Sequence, residues 1–198
     1  AMSAADALGP DSPFAADPNF IAREQQQRMA ASIEATLDER GSLIVEAGTG
    51  TGKTFAYLVP ALLGNRRVIV STGTKTLQDQ LFERDLPTVR DTLGSPATIA
   101  LLKGRANYLC LHHLERTSRE GRLPSRDDAR HLVKISSWAH ATTRGDRAEL
   151  GDVPENATIW PLVTSTRDNC LGSNCAHFRE CHVMLARKEA LDADIVVV

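Results

Sequence analysis

Eight residues, Ala47-Gly48-Thr49-Gly50-Thr51-Gly52-Lys53-Thr54, constrain this chain more tightly than any other stretch of it. A triphosphate carries several negative charges, so a site for it needs backbone amides turned inward, the N-terminus of a helix and one mobile cation. The local order supplies all three. Leu43-Ile44-Val45 reads as a short buried strand running into the loop, and a helix is expected from about Lys53 to Leu63. Gly48, Gly50 and Gly52 permit the backbone angles such a loop demands, Lys53 reaches the β- and γ-phosphates, and Thr54 offers its hydroxyl to Mg²⁺. Ala47 stands where the strict pattern has Gly, which is tolerable where φ stays negative. The bland alternative is a glycine-rich turn that merely precedes a Lys; a place between strand and helix argues against it. The motif specifies nucleoside triphosphate binding, with ATP expected. It does not say what hydrolysis achieves, because kinases, transporters and helicases share the cradle.

Around this loop, apolar runs alternate with helical periodicity. Ile21, Met29, Ile33 and Leu37 fall at multiples of four, predicting a helix from about Arg23 to Arg40 that Gly41 ends. Pro60 should kink or shorten the helix after the loop, and Gly64-Asn65 should finish it. Val68-Ile69-Val70 is a β-branched run suited to a buried parallel strand, followed by Thr72-Gly73-Thr74 and a helix from about Lys75 to Val89. Thr98 to Leu102 is a third strand candidate. Strands alternating with helices imply crossovers and a parallel sheet, hence the α/β class.

After Leu102 the alternation stops. Residues 103–189 are read as an inserted, mostly helical domain, with a Gly- and Pro-punctuated stretch from Gly145 to Pro154 and all four cysteines. Residues 190–198, with Ile195-Val196-Val197-Val198, resume a buried-strand pattern that returns the chain to the sheet. Residues 20–102 are the first part of the nucleotide-binding lobe. Residues 1–19, with three Pro and three Asp among small residues, read as a flexible leader without the marks of a secretory signal. A chain of 198 residues is short for a motor with two nucleotide-binding lobes, so it is expected to be a portion of one. No apolar run approaches the ~20 residues that span a bilayer, and a cytoplasmic protein without a membrane partner is expected.

Cys110, Cys170, Cys175 and Cys181 are spaced asymmetrically, three close together and one far away. Zinc sites favour two tight pairs. Two disulfides would also use four thiols but are rare in a reducing cytosol. A [4Fe–4S] cluster takes four thiolates at wider spacing. Spacing alone leaves zinc and the cluster both open. His177 and His182 adjoin the cysteines, and with four thiols at hand both are read as packing or surface residues rather than ligands. Net charge is −2, yet Lys103 to Arg147 holds ten Lys and Arg against five Asp and Glu. That excess either faces phosphate or decorates a solvated helical surface. Tyr108, Trp138 and Trp160 could stack on bases but are expected in the core.

Taken together these segments resemble the DinG-like, XPD-type family of iron–sulfur superfamily 2 DNA helicases, and more narrowly its YoaA-type members. Arg23-Glu24-Gln25-Gln26 resembles the family's adenine-recognising Q motif, Glu46 to Thr54 its motif I, and Val70 to Thr74 with Leu77 to Leu81 its motif Ia. Lys103-Gly104-Arg105-Ala106-Asn107-Tyr108-Leu109-Cys110 resembles the stretch bearing the first cluster ligand. The resemblance implies a RecA-like P-loop lobe interrupted by a four-cysteine iron–sulfur domain. It implies nucleotide contacts at Arg23, Gln26 and Ala47 to Thr54 (Ala47, Gly48, Thr49, Gly50, Thr51, Gly52, Lys53, Thr54), with Lys53 and Thr54 serving catalysis with Mg²⁺. It further implies [4Fe–4S] ligation by the four cysteines and contacts from Thr72, Gly73, Thr74, Lys103 and Arg105 to single-stranded or forked DNA. The implied activity is ATP-dependent 5′-to-3′ unwinding in repair or replication. The sequence contains no Asp-Glu-Ala-His motif II, so this chain alone is expected to bind ATP with weak or absent turnover and no unwinding. The rival readings are a zinc-stabilised, nucleotide-dependent DNA-binding module without motor activity, and a P-loop kinase or small-molecule ATPase.

Overall fold

The computed structural model describes residues 2–198, which divide into two compact units: residues 2–101 with 193–198, and residues 102–192. The first unit is α/β. Helix α1 spans Glu24–Glu39 and ends at Arg40, whose φ of 55° takes the left-handed cap one residue before the Gly41 expected there. Gly41 still closes the turn by donating its amide to the Thr36 carbonyl at 2.9 Å. Helix α2, Lys53–Leu63, opens on Gly52 and runs through Pro60 to Gly64. A proline inside a helix removes one ladder bond. Here burial on nearly every face, with Ala56, Leu58, Val59, Ala61 and Leu62 in the core, holds the helix together beyond it.

Strand β1 is Val68–Val70, and α3, Lys75–Gln80, begins on Thr74, whose hydroxyl accepts the Leu77 amide. A π-turn over Leu81–Asp85 joins α3 to α4, Leu86–Leu93. Pro87 lacks the amide that would satisfy the Glu83 carbonyl, and the wider turn lies at that break. Strand β2 is Ile99–Leu101 and β3 is Ile195–Val197. The three strands form a parallel sheet in the order β1-β3-β2, with Ile195 opposite both Val68 and Ile99. β3 is central, and Ile195 and Val197 are fully buried. Its entry is pinned on both sides. Arg67 Nε donates to the Ala193 carbonyl at 3.2 Å, and the Asp194 carboxylate accepts from Thr98 N and Oγ1 at 2.8 and 3.0 Å.

Two sequence expectations need correction in this unit. Leu43-Ile44-Val45 is not a strand: no described segment hydrogen-bonds alongside it, and Ile44 is 98% exposed. A strand needs a neighbour for its amides and carbonyls, and an apolar run supplies only the side chains. Nor is the leader loose. Two short 3-10 turns, Asp6–Leu8 and Pro13–Ala16, bury Ala4, Ala7, Leu8 and Phe14 in the same core as α1, α2, α4 and β3. Small and aromatic residues among prolines gave this segment enough apolar surface to fold onto a core.

The second unit is helical: α5 Leu111–Glu120, α6 Arg126–Ala139, a single helical turn α7 Trp160–Val163, and α8 His182–Asp192. Leu109, Ile135, Val153, Ile159, Trp160 and Val163 form its core. Trp138 and Trp160 meet edge to face with centroids 6.4 Å apart, and Trp160 and Tyr108 are buried, as expected for structural aromatics. The N-terminus of α6 is built on Asp128, which accepts from the Thr158 hydroxyl at 2.7 Å while the Asp128 amide donates to Ser125 Oγ at 3.1 Å.

Candidate functional site

The phosphate-loop residues stand at the start of α2. Gly50 and Gly52 adopt φ of 78° and 76°, and Ala47 and Gly48 keep ordinary φ, so the missing first glycine is no obstacle. Gly52 is required twice over. Beyond its positive φ, a Cβ there would lie 2.2 Å from Gln26 Nε2. The loop satisfies itself: Lys53 Nζ donates to the Ala47 carbonyl at 2.6 Å and the Thr51 hydroxyl to the Gly48 carbonyl at 2.9 Å. Gln26 is 4% exposed, and its amide donates to the Gly52 carbonyl at 3.0 Å. Helix α1 thereby brings the predicted adenine-side residue onto the phosphate loop itself, with Arg23 exposed at its N-cap. The first turn of an eleven-residue helix points free amides at whatever the loop encloses.

The cysteine site is assembled by backbone pairing. Residues 108–109 lie antiparallel beside Asp146 and Thr164, with Leu109 N donating to Gly145 O and Cys110 N to Val163 O, both at 2.8 Å. Cys110 is thus fixed beside the segment that leads into Cys170. The loop from Cys170 to Cys181 folds as two 3-10 turns, Gly172–Asn174 and Phe178–Glu180, which carry the other three thiols back to the same place. All four sulfurs line one cavity together with His113 and Phe178, and none forms a disulfide. Burial raises the Cys110 thiol above its ordinary pKa, and its cysteine neighbours Cys181 and Cys175 add to this. Among the described residues, no three His, Cys, Asp or Glu side chains approach closely enough to hold a single metal ion.

The neighbouring histidines are occupied otherwise. His177 bridges Glu180 at 2.7 Å and Glu115 at 3.0 Å, tying the cysteine loop to α5, and these two carboxylates raise its pKa, Glu180 first. His182 is buried under Gly145, where φ is 65° and a Cβ would meet the imidazole at 2.3 Å.

The expected DNA contacts fare unevenly. Lys103 is corrected: its side chain is 1% exposed and its ammonium lies 2.7 Å from Asp146 Oδ2, while its amide donates to the Tyr108 hydroxyl. A buried ammonium needs a carboxylate, and one paired in this way is not offered to phosphate. Arg105 turns inward too, donating from Nη1 to Cys170 Sγ at 3.3 Å. Gly172 N approaches the same sulfur at 3.4 Å. Thr74 caps α3, and the Thr72 amide donates to Val198 O at 3.0 Å. Gly73 has nothing within 4 Å of a Cβ position, which leaves room over that turn.

Asp146, Phe14 and the His177 bridge were not anticipated. Nothing in spacing marks Asp146 as the partner of Lys103. Phe14 did carry a signal, because two of the five phenylalanines lie within the first twenty residues.

Residues 24–106 match the model of the DEAD/DEAH box helicase family. The chain is 48% identical over 194 residues to the "ATP-dependent DNA helicase YoaA" of Escherichia coli, covering 98% of this chain and 30% of that protein. The Haemophilus influenzae protein of the same name is 48% identical over 179 residues, covering 90% of this chain and 28% of its own length. The "ATP-dependent helicase DinG" of Mycobacterium tuberculosis is 39% identical over 197 residues, covering 88% and 30%. The chain therefore spans about 30% of the length of these relatives. Among the described residues no helix is long and apolar enough to cross a membrane.

Proposed function

The chain belongs to the DinG-like DEAD/DEAH box helicases, in the YoaA-like subgroup, and from that premise we propose that it is the ATP-binding and iron–sulfur portion of an ATP-dependent DNA helicase. The domain reading that accompanies it is a RecA-like lobe from residues 20–102 and 190–198 around an iron–sulfur domain from 103–189. The complete motor moves 5′ to 3′ on single-stranded or forked DNA in replication or repair, in the cytoplasm.

The nucleotide half of the reading is supported by the loop at the head of α2. With a triphosphate bound there, Lys53, now on the Ala47 carbonyl, would hold the β- and γ-oxygens and the Thr54 hydroxyl would hold Mg²⁺. Arg23 and Gln26 lie toward the base. Catalysis by Lys53 and Thr54 is electrostatic: they hold and neutralise the phosphates, while the carboxylates that would hold Mg²⁺ and orient water belong to motif II, absent from this sequence. Binding without appreciable turnover is the expected behaviour of this chain. Thr72, Gly73 and Thr74 offer small groups and backbone to a DNA phosphate, a contact that positions a strand without reading it.

The observation that carries the iron–sulfur half is the presence of Cys110 in one cavity with Cys170, Cys175 and Cys181. Cys110 is separated from them by a long excursion, and the backbone bond from its amide to Val163 O closes that excursion. The donor set fits a [4Fe–4S] cluster: four unpaired thiols, with Arg105 and the Gly172 amide directed at one sulfur as donors favour a thiolate. When bound, such a cluster supplies a cross-link among four points of the fold and a centre able to take up or release an electron. Iron, sulfide and zinc are to be measured on protein purified without oxygen. Four irons with four sulfides per chain, lost in Cys110→Ser, is the expected result; stoichiometric zinc without iron overturns this half and favours the zinc-stabilised module.

A further inference from the structure

We propose that Phe14 is a positioning residue that sets the distance between the base end and the phosphate end of the nucleotide site. The inference rests on the nucleotide reading above and extends it to a segment that no motif covers. Phe14 is 5% exposed, in the second turn of the N-terminal segment. Its ring lies 5.8 Å from that of Phe20 and 5.4 Å from that of Phe55, centroid to centroid. Phe20 precedes Arg23 and Gln26 on the way into α1, and Phe55 follows Lys53 and Thr54 in the first turn of α2. One ring is therefore wedged between the lead-in to the base-side residues and the helix turn that bears the phosphate-side residues.

The segment that carries Phe14 is itself fastened. The Ala4 amide donates to both carboxylate oxygens of Glu34 on α1 at 3.1 Å, and Ala4, Ala7 and Leu8 are fully buried. It works as a strap across the first unit, anchored on α1 at one end and on the phenylalanine cluster at the other. Directly between the two ends of the site, one hydrogen bond is seen, from Gln26 Nε2 to the Gly52 carbonyl. That bond uses one of the two polar atoms that Gln26 could present to a base. Oε1 is buried without a partner. Holding Gln26 in place as it releases Gly52 and engages a purine falls to packing, and the phenylalanine wedge touches both the lead-in to α1 and the first turn of α2. Interiors packed at crystal-like density transmit a displaced ring to its neighbours rather than absorbing it.

The consequence separates two ligands. ATP needs the base end and the phosphate end at a fixed distance, whereas inorganic tripolyphosphate needs only the phosphate end. Binding of each, with Mg²⁺, is to be measured calorimetrically on the full chain with Phe14, with Phe14→Ala and with Phe14→Leu. Phe14→Ala should weaken ATP roughly five- to tenfold, the low end of couplings between separate parts of a protein, and leave tripolyphosphate unchanged. Phe14→Leu, which restores most of the volume, should recover ATP affinity. A purely structural Phe14 would lower both affinities together, and an irrelevant one neither; either result overturns the proposal. Should Phe14→Ala fail to fold, hydrogen exchange of the unaltered chain decides: ATP should protect the amides of residues 3–16 more than tripolyphosphate does, and equal protection refutes the inference. If the unaltered chain binds neither ligand, the nucleotide reading fails first and takes the role of the strap with it.

Discussion

Replacing Asp146 with Ala should cost the helical unit far more than the loss of a surface charge. The Lys103 ammonium sits 2.7 Å from Asp146 Oδ2, with side chains 1% and 7% exposed, and Asp146 Oδ1 accepts the Ala148 amide at 3.0 Å. An exposed ion pair of the same geometry is worth about 0–1 kcal/mol. Removing one member of a buried pair costs about 3–5 kcal/mol, because the remaining charge has lost its compensation. The pair also lies beside the backbone pairing that fixes Cys110, since Tyr108 faces Asp146 across an antiparallel bridge. Both tryptophans, Trp138 and Trp160, belong to this unit, so urea unfolding followed by their fluorescence reports on it directly. Asp146→Ala should move the midpoint by the equivalent of about 3 kcal/mol or more at unchanged slope. The double variant Lys103→Met with Asp146→Leu should regain most of that loss, since apolar replacement of both partners removes the buried charge as well. A loss below about 1 kcal/mol in Asp146→Ala would show that the pair is effectively solvated and refute the reasoning. The same pair separates a structural Lys103 from a DNA-binding one. A phosphate contact at Lys103 would instead give Lys103→Ala normal stability, weaker single-strand binding and a salt slope reduced by about one.

Three further outcomes follow from the geometry. Lys53→Ala should abolish ATP binding in calorimetry without lowering the thermal midpoint, because Lys53 is exposed and, among the described residues, its ammonium donates one hydrogen bond, to the Ala47 carbonyl; retained binding would remove the loop from the site. Gly145→Ala should destabilise the helical unit by more than about 2 kcal/mol in the same urea assay, since the new methyl meets His182 at 2.3 Å and the φ of 65° disfavours any side chain; a neutral effect would show that the imidazole moves freely. Asp128 is held below the ordinary carboxylate range, chiefly by the Thr158 hydroxyl, so its contribution is present at neutral pH and is lost as pH falls through its lowered value. The stability gap between the unaltered chain and Asp128→Asn should therefore hold down to about pH 4, the ordinary aspartate range, and close on further acidification; a gap still undiminished well below that range would refute the assignment.

What could be read from residues alone was whatever depends on near neighbours in the chain. Helices α1 and α2, strands β1 and β2 and the positive-φ glycines of the phosphate loop follow from local periodicity and steric demand, and they lie within a few residues of expectation. The errors share one cause, a partner far away in sequence. Leu43-Ile44-Val45 has the composition of a strand, but a strand is defined by a neighbour, and none of the described residues provides it. Lys103 has the composition of a phosphate ligand, yet Asp146, forty-three positions later, claims its charge. The N-terminal segment has the prolines and aspartates of a leader, but Phe14 meets Phe55 and Ala4 meets Glu34, contacts with no local signature. Cys110 is a further instance. Its place in the cavity with Cys170, Cys175 and Cys181 also depends on a distant partner, the Val163 carbonyl that accepts its amide, and periodicity carries no sign of it.

The loop at α2 shows why a matched motif understates the energetics of its site. Lys53 and Gln26 are hydrogen-bonded to loop carbonyls, so a triphosphate does not meet an ammonium and an amide waiting in water. It must offer each donor an oxygen better than the carbonyl already held. A phosphate oxygen does this for Lys53, because a charge-assisted hydrogen bond is roughly twice as strong as one to a neutral acceptor. Gln26 gains no such charge from a neutral base, so its exchange is nearly even and its contribution depends on geometry rather than strength. On the nucleotide reading proposed above, the phosphate end would supply the affinity and the base end the discrimination. That division would make the packing of α1 against α2 the natural place for nucleotide specificity to be set.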